Sequence, residues 1–149
     1  MNRKMYQMCK KYPKIFVRCW PEVGNGWCQL LDNLCEHIQS YIDNNKHLNI
    51  EQLEATQVKE KFGTLRFYSS GGNEYIRGFI SHAEWLSSST CELCGDTKTA
   101  KLRGNAWLTT QCDVCWTKTI VQSDEYNWEV KLKYHYIRIK QWIRRKLRL

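Results

Sequence analysis

The strongest periodicity in the chain begins at Trp27, where Trp27, Leu31, Leu34, Ile38 and Ile42 recur at steps of four and three. Side chains so spaced share one face of a helix, so an amphipathic helix is predicted there, with Pro21, Gly24 and Gly26 of WPEVGNGW punctuating the chain before it. The basic lead-in MNRKMYQMCKKYPKIF receives no element, and DNNKHLNIEQLEATQ reads as a polar connection containing Ile50 and Leu53. In VKEKFGTLRFYSSGGN, Leu65 and Phe67 alternate with Thr64, Arg66 and Tyr68, the period of a strand, which Gly71 and Gly72 end. Asn73 stands where it caps a second helix, Glu74 to Leu86, with Ile76, Phe79 or Ile80, Ala83 and Leu86 facing inward. From about Trp128 the pattern first alternates like a strand, through Val130, Leu132, Tyr134 and Tyr136. Helical spacing then prevails, because Leu132, Tyr136, Ile139, Ile143 and Leu147 form one stripe. A basic, aromatic-rich amphipathic C-terminal helix is predicted.

These elements give an α+β fold class: a small single domain with amphipathic helices, a short β element and a four-cysteine zinc-ribbon-like module, followed by the basic helix. The expected segments are residues 1–88, 89–118 and 119–149. A chain of 149 residues buries roughly 70% of its unfolded surface, so a hydrophobic core is expected. No run of about 18 apolar residues is present, which excludes a transmembrane helix from the expectation. The basic start lacks an apolar stretch of signal-peptide length, and four of the eight cysteines sit in C-x-x-C pairs. A reducing, cytoplasmic setting with free thiols is therefore expected.

The net charge of +8 is unevenly placed. Residues 131–149 carry Lys131, Lys133, Arg138, Lys140, Arg144, Arg145, Lys146 and Arg148 without an acid, so the preceding residues balance to zero. Within those, Arg3, Lys4, Lys10, Lys11, Lys14 and Arg18 precede the first acid, Glu22, which leaves an acidic middle between basic ends. Such ends fit phosphate or an acidic partner, and they also fit plain solvated faces.

The candidate chemistry lies in CELCGDTKTAKLRGNAWLTTQCDVC. Cys91, Cys94, Cys112 and Cys115 form two C-x-x-C pairs separated by 17 residues, a spacing that lets two turns supply the four sulfurs of a tetrahedral zinc site. Gly95 follows the second cysteine, where a positive φ is often required. Four sulfur ligands leave no position for water, so the Zn2+ expected here is structural. Lys98, Lys101, Arg103 and Lys118 are placed to offset the thiolate charge, and the segment between the pairs reads as a short hairpin or turn, with Trp107 packed on the site or on the preceding helix. A thioredoxin-like redox pair fits less well, because βα alternation is scarce. Cys28 and Cys35 read as small buried thiols, while Cys9 and Cys19 carry no assignment.

A second arrangement shares this region. His82-Ala83-Glu84, followed by Cys112 and Cys115, is similar to the zinc nucleoside-deaminase signature, in which His and two Cys bind the metal and Glu moves protons. Gln111 stands where that family has proline, and Cys91 and Cys94 compete for the metal.

The blocks Gly26 to Cys35, Val58 to Tyr68 (VKEKFGTLRFY), Ala83 to Ser87 and Cys91 to Cys115 resemble a group of small zinc-ribbon-like proteins encoded by tailed phages and prophages, over residues 24–115. The resemblance implies an accessory protein acting in the host cytoplasm on host machinery, anti-defence action included; no shared activity comes with it.

Three functions follow as expectations. In the first, the zinc module and helices form a non-enzymatic platform whose basic ends bind nucleic acid or an acidic host protein, with Trp142 and the tail cations touching the partner. In the second, the apolar stripe of the last helix makes the protein an inhibitor or adaptor seated in a partner's groove, or in a homodimer. The deaminase is the third. A membrane-surface helix fits less well than these, because its aromatic residues fall on several faces.

Overall fold

The computed structural model describes residues 3–123 together with Leu132 and Tyr136. The predicted C-terminal helix lies almost wholly outside the described residues, as do Lys131, Lys133, Arg138, Lys140, Trp142, Arg144, Arg145, Lys146 and Arg148; Leu132 and Tyr136 are helical and exposed. Two compact units are present, Met1–Asp113 and Val114–Leu149. The boundary expected at residue 88 falls inside the first of them. The expected α+β class is observed, with helices, two antiparallel two-stranded sheets and a cluster of four cysteines. No helix among the described residues is long and apolar enough to cross a membrane.

The basic lead-in is a helix, α1 (Arg3–Lys11). Met5, Met8, Cys9 and the following Tyr12 fall at helical spacing and are all buried, while the lysines take the other face. Lys10 and Lys11 occupy the last turn, where the helix dipole favours cations. Lys11 meets Asp32 at 3.1 Å and Tyr12 Oη donates to the Asp32 carbonyl at 3.1 Å, which pins α1 to the helix that follows.

That helix, α2 (Cys28–Asn44), buries Leu31, Leu34, Cys35 and Ile38, as its stripe predicts. Trp27, in the single 3-10 turn before it, is wholly buried, and burying side chains such as Leu31 and Ile38 stabilises the fold by ~1.5–3 kcal/mol each. Cys35 is buried as expected, whereas Cys28 is only half-buried.

The single predicted strand is one half of a hairpin. β1 (Glu54–Lys61) pairs antiparallel with β2 (Thr64–Ser70), so the supposed polar connection ends inside a strand. β1 hides its period because its inward residues, Ala55 and Val58, are three apart, with a bulge between Ala55 and Gln57 supplying the extra residue. The turn is two residues long, and both have positive φ, 54° at Phe62 and 79° at Gly63. That is the primed turn hairpins prefer, but its first position normally takes Asn, Asp or Gly; an aromatic there costs ~1–2 kcal/mol.

Both rims of this hairpin are occupied. On the β1 side, Ala55 N–H donates to the Ile15 carbonyl and Glu22 N–H to the Val58 carbonyl, both at 2.8 Å. On the β2 side the partner is a helix, α3 (Glu74–Ser87), capped by Asn73, whose side chain accepts from Ile76 N–H at 3.1 Å. Leu65 N–H donates to Ser87 Oγ and Phe67 N–H to Glu84 Oε1, both at 2.8 Å. Inward on α3 lie Ile76, Ile80, Ala83 and Ser87; of the two alternatives for the second position, Ile80 is the buried one. Leu86, expected inward, is half-buried and the buried position falls to Ser87.

Candidate metal centre

The first cysteine pair lies on a turn that the rest of the fold grips from outside. Gly95, at φ 84°, closes the turn by donating its N–H to the Cys91 carbonyl at 2.8 Å, and Cys91 N–H donates to the Asp96 carbonyl at 2.8 Å. The Gly24–Trp27 segment then docks on it. Gly26 N–H donates to the Glu92 carbonyl at 2.7 Å, Gly24 N–H to Glu92 Oε1 at 3.0 Å, and Trp27 Nε1–H to the Thr90 carbonyl at 2.8 Å. A Cβ on Gly26 would stand 2.1 Å from the Cys91 carbonyl oxygen, so only glycine fits. The punctuation GNGW that precedes α2 is thus the seat of the first cysteine turn. Burial raises the Glu92 carboxyl above its usual range, against the Gly24 N–H that steadies its charged form.

The segment between the pairs is the expected hairpin, β3 (Lys101–Arg103) with β4 (Thr109–Gln111). It is fastened to the first hairpin at the Phe62–Gly63 turn, where Thr110 Oγ1 donates to the Gly63 carbonyl at 2.6 Å. Arg103 is not a surface cation: its side chain is 12% exposed, donates through Nε to the Gln111 carbonyl at 2.9 Å and pairs with Asp113. Lys101 is exposed. Trp107, expected against the site or the preceding helix, is instead 77% exposed.

The second pair differs from the first in its backbone. Residues 113–123 are helical, so Cys112 precedes the helix and Cys115 lies in its first turn. A helix start thus carries the second pair, where a glycine turn carries the first.

The sulfurs of Cys91, Cys94, Cys112 and Cys115 all lie within 4.8 Å of one another, and Cys94 Sγ is 3.6 Å from Cys112 Sγ. Zinc–sulfur bonds of about 2.3 Å imply tetrahedron edges of about 3.8 Å, so the set fits a four-sulfur metal site. Burial opposes ionisation of Cys91, but the N–H groups of Cys112, Cys94 and Leu93 outweigh it and bring this thiol down to about 7. Cys91 and Cys112 are buried, Cys115 is partly so and Cys94 is exposed.

The other candidates lie elsewhere. His82 is exposed and stacks on Trp85 at 5.8 Å, while Glu84, expected as a solvated helix position or a proton shuttle, is half-buried and holds Phe67 N–H. Neither belongs to the cysteine cluster. Cys9, Cys19, Cys28 and Cys35 are also outside it, and burial raises all four thiols. Four of the residues that position the site, Gly24, Gly26, Thr90 and Glu92, follow from no motif; the Gly-x-Gly-Trp beside the helix start is their only sequence signal.

Among known proteins, no family model, no curated protein and no solved structure matches the chain, so its function has to be read from the cysteine cluster and the charged surfaces.

Proposed function

We propose that Cys91, Cys94, Cys112 and Cys115 hold a structural Zn2+ and that the protein is a non-enzymatic, phage-encoded accessory protein that binds nucleic acid through its basic surfaces. The observation that carries the metal is the closed set of four sulfurs within 4.8 Å. When bound, the ion supplies cross-linking and not a water nucleophile, since sulfur fills its coordination sphere. The chain's own residues prepare the site: Gly24 and Gly26 seat one pair, and Arg103 with Asp113 fixes the hairpin leading to the other.

The nucleic-acid part is supported by the separation of charge. α1 carries Arg3, Lys4 and Lys10 besides the Lys11 that pairs with Asp32, beside a Tyr6–Trp20 stack at 5.8 Å whose Trp20 is 48% exposed, and residues 131–149 add eight cations. Cations with adjoining aromatics favour phosphate pairing and base stacking together. The deaminase reading has no comparable support, because His82 and Glu84 stand apart from the cysteines and are occupied structurally.

A pull-down from host lysate with and without nuclease tests this reading, alongside a salt titration of affinity for duplex and single-stranded DNA. Partners that vanish with nuclease support it, and an acidic protein retained after nuclease overturns it. Deleting residues 140–149 removes Lys140, Arg144, Arg145, Lys146 and Arg148. The slope of log affinity against log salt should then become shallower by up to roughly 0.9 for each duplex phosphate no longer neutralised.

A further inference from the structure

The VKEKFGTLRFY block forms the β1–β2 hairpin, and its outward face has a composition that folding alone does not explain. In register, Gln57 faces Tyr68, Lys59 faces Arg66 and Lys61 faces Thr64, alternating with the buried pair Val58 and Phe67. The solvent face near the turn thus presents Lys59, Lys61 and Arg66 and no acid; Glu54, opposite Ser70, lies at the far end. Lys59 and Arg66 are directly opposed like charges, an arrangement that destabilises a bare sheet and that an anion would relieve. None of the three cations is in an ion pair among the described residues; Arg66 is held in place by Nη1, which donates to Thr64 Oγ1 at 2.8 Å and to the Leu65 carbonyl at 2.6 Å.

Aromatic rings stand among these charges. Tyr68 is 44% exposed with Lys59 over its ring at 5.8 Å, and Phe62 is 68% exposed with Lys61 over its ring at 5.5 Å. Phe62 holds an unfavourable positive φ at a position where Asn or Gly would serve the turn better. Strain retained to display an apolar ring in water points to a ring with a task. Beside it lies Trp107, and Phe62, Trp107, Lys59 and Lys61 line a cleft of about 430 Å³. Glu60, also in its wall, is engaged by Gly63 N–H at 2.5 Å. Trp107 and Glu60 also border a second cleft, which adds Glu22 and Glu92 and so repels phosphate; that leaves the phosphates over the hairpin face and a base at the turn.

On the nucleic-acid reading above, we infer that the outer face of the β1–β2 hairpin is a single-strand-binding platform: Phe62 and Trp107 hold a base in the cleft at the turn, and Lys59, Lys61 and Arg66 pair with the backbone phosphates. An unpaired strand is required because the rings need a splayed base face, which duplex stacking hides.

The test uses the full, zinc-loaded chain with labelled oligo(dT) and oligo(U) as probes. Phe62→Gly and Trp107→Ala should each weaken binding by roughly 5- to 150-fold, the range one base–aromatic stack represents. Zinc content should be unchanged, and Phe62→Gly should melt at the same temperature or higher because it relaxes the turn. The Lys59→Gln/Lys61→Gln double variant should make the salt slope shallower by roughly 1.4, about 0.7 for each single-strand phosphate released. Oligonucleotide binding of wild-type strength in both aromatic variants overturns the platform and leaves the nucleic-acid reading standing. A wild-type chain that binds neither single strands nor duplex, but does bind polyglutamate, overturns both.

Discussion

The eight cysteines form two sets of four that share a residue type and little else. In one set, Cys91 to Cys115, the sulfurs converge within 4.8 Å, and amides around Cys91 outweigh its burial and bring it down to about 7. In the other, Cys9, Cys19, Cys28 and Cys35 are spread over α1, α2 and the segment between them, and burial dominates, pushing Cys9 up to about 11. Burial penalises the thiolate in both sets. The difference is that the backbone N–H groups of Cys112, Cys94 and Leu93 reach the Cys91 sulfur, against a core that offers its thiols few. Cysteine chemistry here is decided by backbone geometry.

The largest test of that contrast is metal removal. Elemental analysis should find about one zinc per chain. Chelation or Cys112→Ser should remove stabilisation on the order of 10 kcal/mol and loosen at least residues 88–118. An unchanged melting curve without metal would erase the distinction. A sharper break leaves every ligand in place: Gly26→Ala puts a Cβ 2.1 Å from the Cys91 carbonyl oxygen. We expect ~1–3 kcal/mol of destabilisation, and weaker zinc retention against a chromogenic chelator.

On the opposite side, Cys35→Ser places a hydroxyl where the wild-type residue is 0% exposed. It should lower the urea midpoint by the equivalent of ~1–3 kcal/mol and leave zinc stoichiometry unchanged; loss of zinc would join the two sets. The smallest effect is alkaline. The folded state favours the neutral Cys9 thiol, so its contribution is fully present below the ordinary value of 9.0 and is lost as pH rises through about 11. Stability should decline over that interval, and Cys9→Ala should flatten the decline in a pH series of thermal melts.

What the sequence disclosed follows the same division. The metal set is legible because ligand spacing is local, and α2 and α3 are legible because each buries a continuous stripe. α1 is masked because six cations before Glu22 dominate a segment in which Met5, Met8, Cys9 and Tyr12 hold the helical period. β1 is masked because its bulge shifts the alternation, and the partners of its outer rim, Ile15 and Glu22, lie far back in the chain. Trp107 defies expectation since a large apolar residue defaults to the interior; nothing local announces that it is 77% exposed. Glu84 looks like a surface acid because its partner, Phe67 N–H, is fixed only by the packing of α3 on β2.

That packing carries a consequence for self-association. A two-stranded sheet ordinarily offers its outer amides to any extended chain that drifts past, the usual route to strand addition and fibril growth. Here Glu84 and Ser87 imitate a third strand with side chains, so the amides of Leu65 and Phe67 are already engaged. A Glu84→Ala/Ser87→Ala chain would uncover them while leaving the four-cysteine cluster untouched, turning the hairpin into a template for its own aggregation.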